Sequence, residues 1–170
     1  MKYPALIFFL FISGIITAQK NNRPADEFII NGNAKHTITF SLKDAGSFTK
    51  HSIDSFVIYN HLQERKRVIR NIKGVLLKDV LEKAGLDEEN PKLFSEFYFT
   101  CIASDGYKVV FSWNEVFNTD ISNKILIITE EDGQKAEALN DHIAILSSLD
   151  KATGRRYVQN LQQVKVERVK

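Results

Sequence analysis

The stretch FYFTCIASDGYKVVFS, residues 97–112, is the clearest β-hairpin pattern in the chain. The Asp-Gly pair at 105–106 separates two runs of aromatic and β-branched residues, and such a pair tolerates the positive φ values of a tight turn. A two-residue turn at this pair would place Cys101 opposite Val110. Both faces of this hairpin would be largely apolar, so we expect other elements to cover both.

The remaining patterns predict an α+β domain in which several antiparallel pairs accompany a few short helices. Residues 74–85 read as a helix, because their leucine, valine and alanine residues recur at helical spacing and Gly85 supplies a stop. Ser112 and Glu115 have the spacing of a capping box, which would begin a second short helix. The other predicted strands are residues 28–30, 35–40, 55–60, 67–72, 125–129, 143–146 and 163–168.

Composition excludes several classes of protein. The 170 residues carry a net charge of +2, are 44% hydrophobic and 26% charged, and fit one ordinary globular domain. A nucleic-acid-binding protein would usually carry a clear basic excess, so we expect no nucleic-acid partner. The single cysteine, Cys101, excludes an intrachain disulfide and a multi-cysteine zinc site.

The N-terminus resembles an export signal. Lys2 precedes an apolar run, ALIFFLFISGII at residues 5–16, and Ala18 supplies a small residue at the expected cleavage site. We therefore divide the chain into a signal peptide at residues 1–18, a polar tether at 19–26 and one domain at 27–170. The apolar run is shorter than the roughly 20 residues that a membrane span needs, although an uncleaved anchor is the alternative. The mature protein would be periplasmic or secreted, with no membrane span.

No pattern of catalytic or metal-binding residues is present in the sequence. The four histidines lack metal-ligand spacing, and there is no nucleophile elbow, P-loop or dinucleotide fingerprint. Cys101 lies inside an apolar hairpin, which favours a buried thiol over a nucleophile. Two basic clusters, residues 65–67 and 155–156, could each hold an anion, although basic clusters on solvated faces are the more common explanation.

Four segments, taken together and in order, resemble the molybdopterin-binding domain of the sulfite oxidase family. They are IKGVLLKDVLEKAGL at residues 72–86, SDGYKVVFSWNEV at 104–116, GRRYVQNLQQVKV at 154–166 and the opening FIINGNAKHTITFSLKDA at 28–45. The resemblance covers essentially the whole predicted mature chain. It implies a sulfite oxidase-like fold built mainly from antiparallel sheets with short helices.

The sequence departs from that family at positions that matter for its cofactor. The resemblance places a molybdenum-binding cysteine in the stretch SFVIYNHLQER, residues 55–65, which contains none. The family's serine and lysine, which help to hold the pterin phosphate, are replaced by Tyr157 and Gln159. Because a soft thiolate suits molybdenum, these changes predict that no cofactor is bound, with molybdopterin as the less favoured possibility.

Two functions follow, and the sequence leaves both open. In the first, the protein is a non-catalytic exported domain that binds a small anionic ligand or a protein partner. In the second, it is a molybdopterin-dependent oxidoreductase with an atypical metal site. For a ligand of either kind, the resemblance points to Arg156, Asp105, Tyr107, Tyr59 and His61; we predict no catalytic and no metal-binding residue.

We predict that the exported protein begins at Gln19, because the short apolar run ends beside the small residue Ala18. Mass spectrometry of the secreted protein should find Gln19, or its cyclised form, at the N-terminus. A mature mass that includes residues 1–18 would contradict this cleavage.

Overall fold

The computed structural model describes residues 26–169, so the predicted signal peptide and nearly all of the predicted tether lie outside the described residues. The described part is a mixed α+β fold made mostly of β-strands, which confirms the predicted class. Its strands, β1 to β10 in chain order, are Glu27–Gly32, Ile38–Ser41, His51–Tyr59, Arg65–Leu76, Phe97–Ala103, Lys108–Ser112, Ile125–Glu131, Gln134–Lys135, Ala144–Ser147 and Leu161–Arg168.

Short helices connect several of these strands. The α-helices are α1 (Leu77–Ala84) and α2 (Trp113–Phe117), and short 3₁₀ helices include Pro91–Glu96 and Thr153–Arg156. The capping box predicted for α2 is present: Ser112 N donates to Glu115 Oε2 at 2.8 Å, and Glu115 N donates to Ser112 Oγ at 3.2 Å. Over residues 26–169, no helix combines the length and the apolar character needed to cross a membrane.

Two sheets contain the ten strands. The first sheet has the order β2-β1-β10-β5-β6, and the second has the order β3-β4-β7-β8 with β9 also paired to β7. The C-terminal strand β10 therefore lies at the centre of the first sheet, parallel to β1 and antiparallel to β5. The first and last strands of the described chain are therefore neighbours, so this sheet depends on contacts between residues that are far apart in sequence.

The second sheet is buried on both faces at β7. Along β7, Ile125 and Ile127 join one apolar cluster, while Leu126 and Ile128 join another. Successive side chains of a strand point to opposite faces, so the two clusters lie on opposite sides of this sheet. The first cluster also contains the inner face of the first sheet and α1, and it is the core between the two sheets.

The predicted hairpin forms, but its register differs by one residue from the expected one. Cys101 pairs with Val109 rather than Val110, because the loop has three residues between the paired Ala103 and Tyr107 instead of two. The amide of Gly106, at φ 84°, donates to the Ala103 carbonyl at 3.0 Å, as in a type I turn followed by a left-handed glycine. Val110 is consequently 52% exposed, so the outer face is only partly covered.

The helix predicted for residues 74–85 begins three residues later, at Leu77. Gly74, Val75 and Leu76 instead end the long strand β4 and pair with β7. A Cβ at Gly74 would collide with the carbonyl oxygen of Ile127, so only glycine allows the two strands to approach this closely. The apolar run is continuous across the boundary, and periodicity alone could not separate strand from helix.

Cys101 is fully buried in β5, as expected, and burial raises the pKa of its thiol to about 12. We predict that a thiol reagent at pH 8 labels native protein far more slowly than denatured protein, because both access and thiolate are lacking. The variant Lys108→Cys adds a thiol at an exposed position of β6 and serves as control. It should gain one rapidly labelled thiol, whereas rapid labelling of native wild-type protein would contradict the burial.

Candidate functional site

A cavity of about 550 Å³ opens where the end of β3, the β3–β4 loop, the β5–β6 loop and the segment before β10 meet. Its walls combine tyrosine rings with basic, imidazole and amide side chains, and none of the described residues that line it carries a carboxylate. The volume lies in the range of small-molecule sites rather than that of a single inorganic ion. The polar and aromatic lining comes from Tyr59, Asn60, His61, Lys66, Arg67, Tyr107, Arg155, Tyr157 and Gln159.

The back wall of the cavity forms because the 3₁₀ helix Thr153–Arg156 packs directly on the edge strand β3. The Thr153 hydroxyl donates to the carbonyl of Val57 at 2.6 Å and accepts from the amide of Tyr59 at 2.9 Å. Gly154 follows, and a Cβ there would lie 2.7 Å from the carbonyl oxygen of Tyr59. A threonine followed by a glycine therefore brings the backbone of this segment against β3.

Tyr107 connects the β5–β6 loop to the same segment. Its hydroxyl donates to the backbone carbonyl of Arg155 at 2.5 Å. The loop itself is shaped by Asp105, whose Oδ1 accepts from the amide of Tyr107 at 2.9 Å. The backbone at Arg155 is thus held by β3 on one side and by Tyr107 on the other. The exposed side chain of Arg155 lines the cavity and forms no ion pair with any residue of the described chain.

The neighbouring Arg156 has a different environment. Its Nε donates to Asp150 Oδ2 at 2.7 Å, its Nη1 donates to Glu115 Oε1 at 2.7 Å, and its guanidinium lies 4.6 Å from the centre of the Phe111 ring. The hydrogen bonds that Arg156 donates to Asp150 are the largest of the interactions that raise the pKa of this guanidinium above its ordinary value. Arg156 therefore joins the 3₁₀ helix to the start of α2, and it does not line the cavity.

The floor of the cavity is organised around Asp141, which is only 8% exposed. Its carboxylate accepts from Arg67 Nη1 at 2.6 Å, from the Tyr157 hydroxyl at 2.6 Å and from Gln159 Nε2 at 2.8 Å. Arg67 also donates through Nη2 to Glu131 Oε2 at 2.8 Å. Burial, together with the nearby Asp141 carboxylate, raises the pKa of Tyr157 well above its ordinary value, so its hydroxyl remains a donor.

The β3–β4 loop is ordered by one asparagine. Asn60 Oδ1 accepts from the amides of Leu62 and Glu64, both at 2.9 Å, and Asn60 Nδ2 donates to Glu64 Oε2 at 2.8 Å. This arrangement leaves His61 exposed at the mouth of the cavity. Lys66 lies beside it and pairs with Glu64 at 3.0 Å, but both side chains are more than half exposed, so the pair is weak.

The structure brings together three of the five ligand-binding residues indicated by the sequence. Tyr59, His61 and Tyr107 line one cavity although they come from two separate hairpins. Asp105 shapes the turn beside the cavity without lining it, and Arg156 lies outside it. Tyr59, His61 and Tyr107 are therefore neighbours in space. Their role as ligand contacts stays a prediction.

The two basic clusters noted in the sequence meet in this cavity. Lys66 and Arg67 come from the first cluster and Arg155 from the second. Asp141 was missed by sequence reasoning, because an isolated aspartate in a polar loop carries no pattern that distinguishes it from a solvated one. Its role depends on partners 74, 16 and 18 residues away along the chain, which only folding brings to it.

The described residues offer no obvious metal site. Over residues 26–169, no group of three or more histidine, cysteine, aspartate or glutamate side chains is arranged to hold a metal ion. Tyr59 and His61 are accompanied in the cavity by cationic and amide side chains.

A comparison with solved structures finds a distant neighbour. The fold is similar to the crystal structure of the sulfane dehydrogenase SoxCD from Paracoccus pantotrophus, with a TM-score of 0.56 and 12% sequence identity. The match covers 82% of this chain and 37% of the SoxCD chain, so this chain spans well under half of that protein's length. No protein-family model matches the chain, and no curated protein matches it. The similarity therefore shows a related fold.

The contact between Gly154 and β3 predicts that Gly154→Ala destabilises the protein. The added methyl group would lie 2.7 Å from the Tyr59 carbonyl oxygen and 3.2 Å from Ile58 Cγ2, so the segment must move away from β3. We expect a loss of about 1–3 kcal/mol in the free energy of unfolding, measured by chemical denaturation. Gly46→Ala is the matched control, since its Cβ would meet nothing within 4 Å. Equal stability of the two variants would contradict the close packing.

Proposed function

We propose that the protein is an exported, non-catalytic domain that binds a small anionic ligand in the cavity beside β3. The observation that carries this proposal is Arg155: its side chain lines the cavity and has no carboxylate partner among residues 26–169. An uncompensated guanidinium held on a fixed backbone is well suited to carboxylate, sulfonate or phosphate groups, which it can bind through two parallel hydrogen bonds.

The charges around the cavity support Arg155 as the principal anion contact. Arg67 has its charge offset by Asp141 and Glu131, and Lys66 has its charge partly offset by Glu64. His61 at the mouth adds a group that carries positive charge only when protonated. Among the cations that line the cavity, Arg155 is therefore the one that has no carboxylate partner among residues 26–169.

The fold comparison supports a domain of the sulfite oxidase-like type. The similarity to SoxCD agrees with the fold that the four sequence segments imply, at a level of identity that carries fold alone. Export rests on the sequence pattern of residues 1–18 and is part of the proposal.

The side chains around the cavity do not fit a molybdenum site that uses a protein thiolate. Cys101, the chain's one cysteine, is fully buried in β5 and lies outside the cavity lining. Tyr157 and Gln159, which stand where the resemblance has serine and lysine, both donate to Asp141 instead. We therefore propose that no molybdopterin is resident in this cavity.

We expect sulfate, used as a probe anion, to bind saturably at the cavity and to shift the backbone amide NMR signals of Arg155 and Tyr107. Arg155→Gln should raise the dissociation constant at least about tenfold, because a charge-assisted hydrogen bond contributes about 1.5–3 kcal/mol. The titration is run at constant ionic strength, with chloride replaced by sulfate, so that general screening does not change.

Arg70→Gln is the matched control, because it removes the same charge from an exposed position of β4 that does not line the cavity. It should leave the sulfate affinity unchanged. Equal affinity of wild-type protein and Arg155→Gln would contradict the proposal. About one molybdenum per chain in protein from a host that makes molybdopterin, lost in Tyr59→Phe or His61→Gln, would instead favour the oxidoreductase.

A further inference from the structure

The cavity beside β3 is lined by aromatic rings and cations together. Tyr59, Tyr107 and His61 supply rings, while Lys66 and Arg155 supply positive charge. None of the described residues that line the cavity carries a carboxylate. Arg155 accounts for an anionic group on a ligand, and the rings bear on the body that carries this group.

Tyr107 presents its ring to the cavity and not a free hydroxyl. Tyr107 is 43% exposed, and of the large apolar side chains exposed within residues 26–169 it is the one that lines the cavity. Its hydroxyl proton is already used, because the hydroxyl donates to the backbone carbonyl of Arg155 at 2.5 Å. What Tyr107 offers to a ligand is therefore the apolar surface of a ring whose position is fixed at its far end.

The same hydrogen bond holds this ring beside the proposed anion contact. It joins the side chain of Tyr107 directly to residue 155, and Arg155 and Tyr107 line the same cavity. A ligand whose anionic group contacts the Arg155 guanidinium can therefore reach the Tyr107 ring with the body that carries this group. Such a body would cover exposed apolar surface, which is favourable for an aliphatic or an aromatic group.

The rings and cations of the lining favour an aromatic body over a saturated one. The face of an aromatic ring carries negative potential and attracts cations, whereas a saturated ring has no such face. The side chain of Lys66 is more than half exposed, and its partner Glu64 does not line the cavity. A pair of aromatic rings also gains contact energy beyond that of the area it buries. Both kinds of contact require a ring with π electrons on the ligand.

We propose that the cavity selects a small aromatic carboxylate, whose carboxylate contacts Arg155 and whose ring packs against Tyr107. This inference rests on the proposed anion-binding function and adds the class of ligand to it. A guanidinium binds a carboxylate through two parallel hydrogen bonds, which fixes the direction in which the ring projects. The volume of about 550 Å³ is sufficient for a ligand of this size.

Two carboxylates of similar size test this ligand class. Benzoate and cyclohexanecarboxylate carry the same charged group, the first on an aromatic ring and the second on a saturated one. Burial of apolar area alone would favour the saturated compound, which has the larger apolar surface. Titrations at pH 7 and constant ionic strength, followed by the backbone amide NMR signals of Arg155 and Tyr107, should show benzoate binding about threefold or more tightly. Equal binding, or tighter binding of cyclohexanecarboxylate, would overturn the proposal.

Variants at Tyr107 separate its ring from other sources of a preference for benzoate. Tyr107→Leu replaces the ring by an aliphatic side chain and should make the two affinities equal. Tyr107→Phe keeps the ring and removes the hydroxyl that holds the Arg155 carbonyl, so both affinities should fall together and the preference should remain. Tyr98→Leu is the matched control, because Tyr98 lies in β5 outside the cavity lining, and it should preserve the preference.

An undiminished preference in Tyr107→Leu, or its loss in Tyr107→Phe, would overturn the assignment of the Tyr107 ring. Thermal unfolding establishes that each variant is folded before it is titrated. Where Tyr107→Leu does not fold, the comparison of the two ligands on wild-type protein and on Tyr107→Phe still decides the proposal.

The titrations distinguish failure of this inference from failure of the anion-binding function. If the two carboxylates bind equally and both lose affinity in Arg155→Gln, anion binding stands and selection of an aromatic ligand is excluded. The same conclusion follows if sulfate binds through Arg155 and neither carboxylate does. If no anion binds, or if binding is unchanged in Arg155→Gln, the anion-binding function fails and this inference fails with it.

Discussion

The insertion of β10 between β1 and β5 is the constraint on which the rest of the structure depends. A strand at the centre of a sheet must satisfy backbone hydrogen bonds on both of its edges. β10 does so by pairing with β1 on one edge and with β5 on the other. The segment that leads into β10 must therefore pass from the second sheet to the first. On its way Val158 exchanges two backbone hydrogen bonds with Ile145, at 2.8 and 2.9 Å. The cavity forms along this crossing segment.

Arg155 and Arg156 are neighbours in the segment that leads into β10, and their positions give them different roles. Arg156 is bound by two carboxylates and covers Phe111, so its charge stabilises the junction between the 3₁₀ helix and α2. Arg155 is held through its backbone carbonyl, by the Tyr107 hydroxyl, and its side chain lines the cavity without an ion pair to any residue from 26 to 169. The resemblance to a known family selects Arg156, whereas the cavity contains Arg155. Both arginines lie in the 3₁₀ helix, where successive side chains point about 120° apart, and the partners present on each side account for the difference.

A shared fold at low identity leaves function to the individual side chains. The match to SoxCD establishes how the strands are arranged and says nothing of which groups line this cavity. In this chain the buried carboxylate of Asp141 accepts a hydrogen bond from each of Arg67, Tyr157 and Gln159, and it holds these three side chains in place at the floor of the cavity. The anion binding proposed for the cavity follows from Arg155, which lines it and forms no ion pair with residues 26–169.

The sequence alone determined the features that depend on neighbours along the chain. The α+β class, the capping box at Ser112, the helix stop at Gly85 and the burial of Cys101 all follow from local spacing and hydrophobic alternation. Tertiary structure decided the central place of β10, the register of the β5–β6 hairpin, which differs by one residue from the expected one, and the assembly of the cavity. These features arise from hydrogen bonds between residues far apart in sequence, such as Thr153 with Val57 and Asp141 with Arg67. No local pattern encodes such pairs, because each partner acquires its role only when the chain has folded.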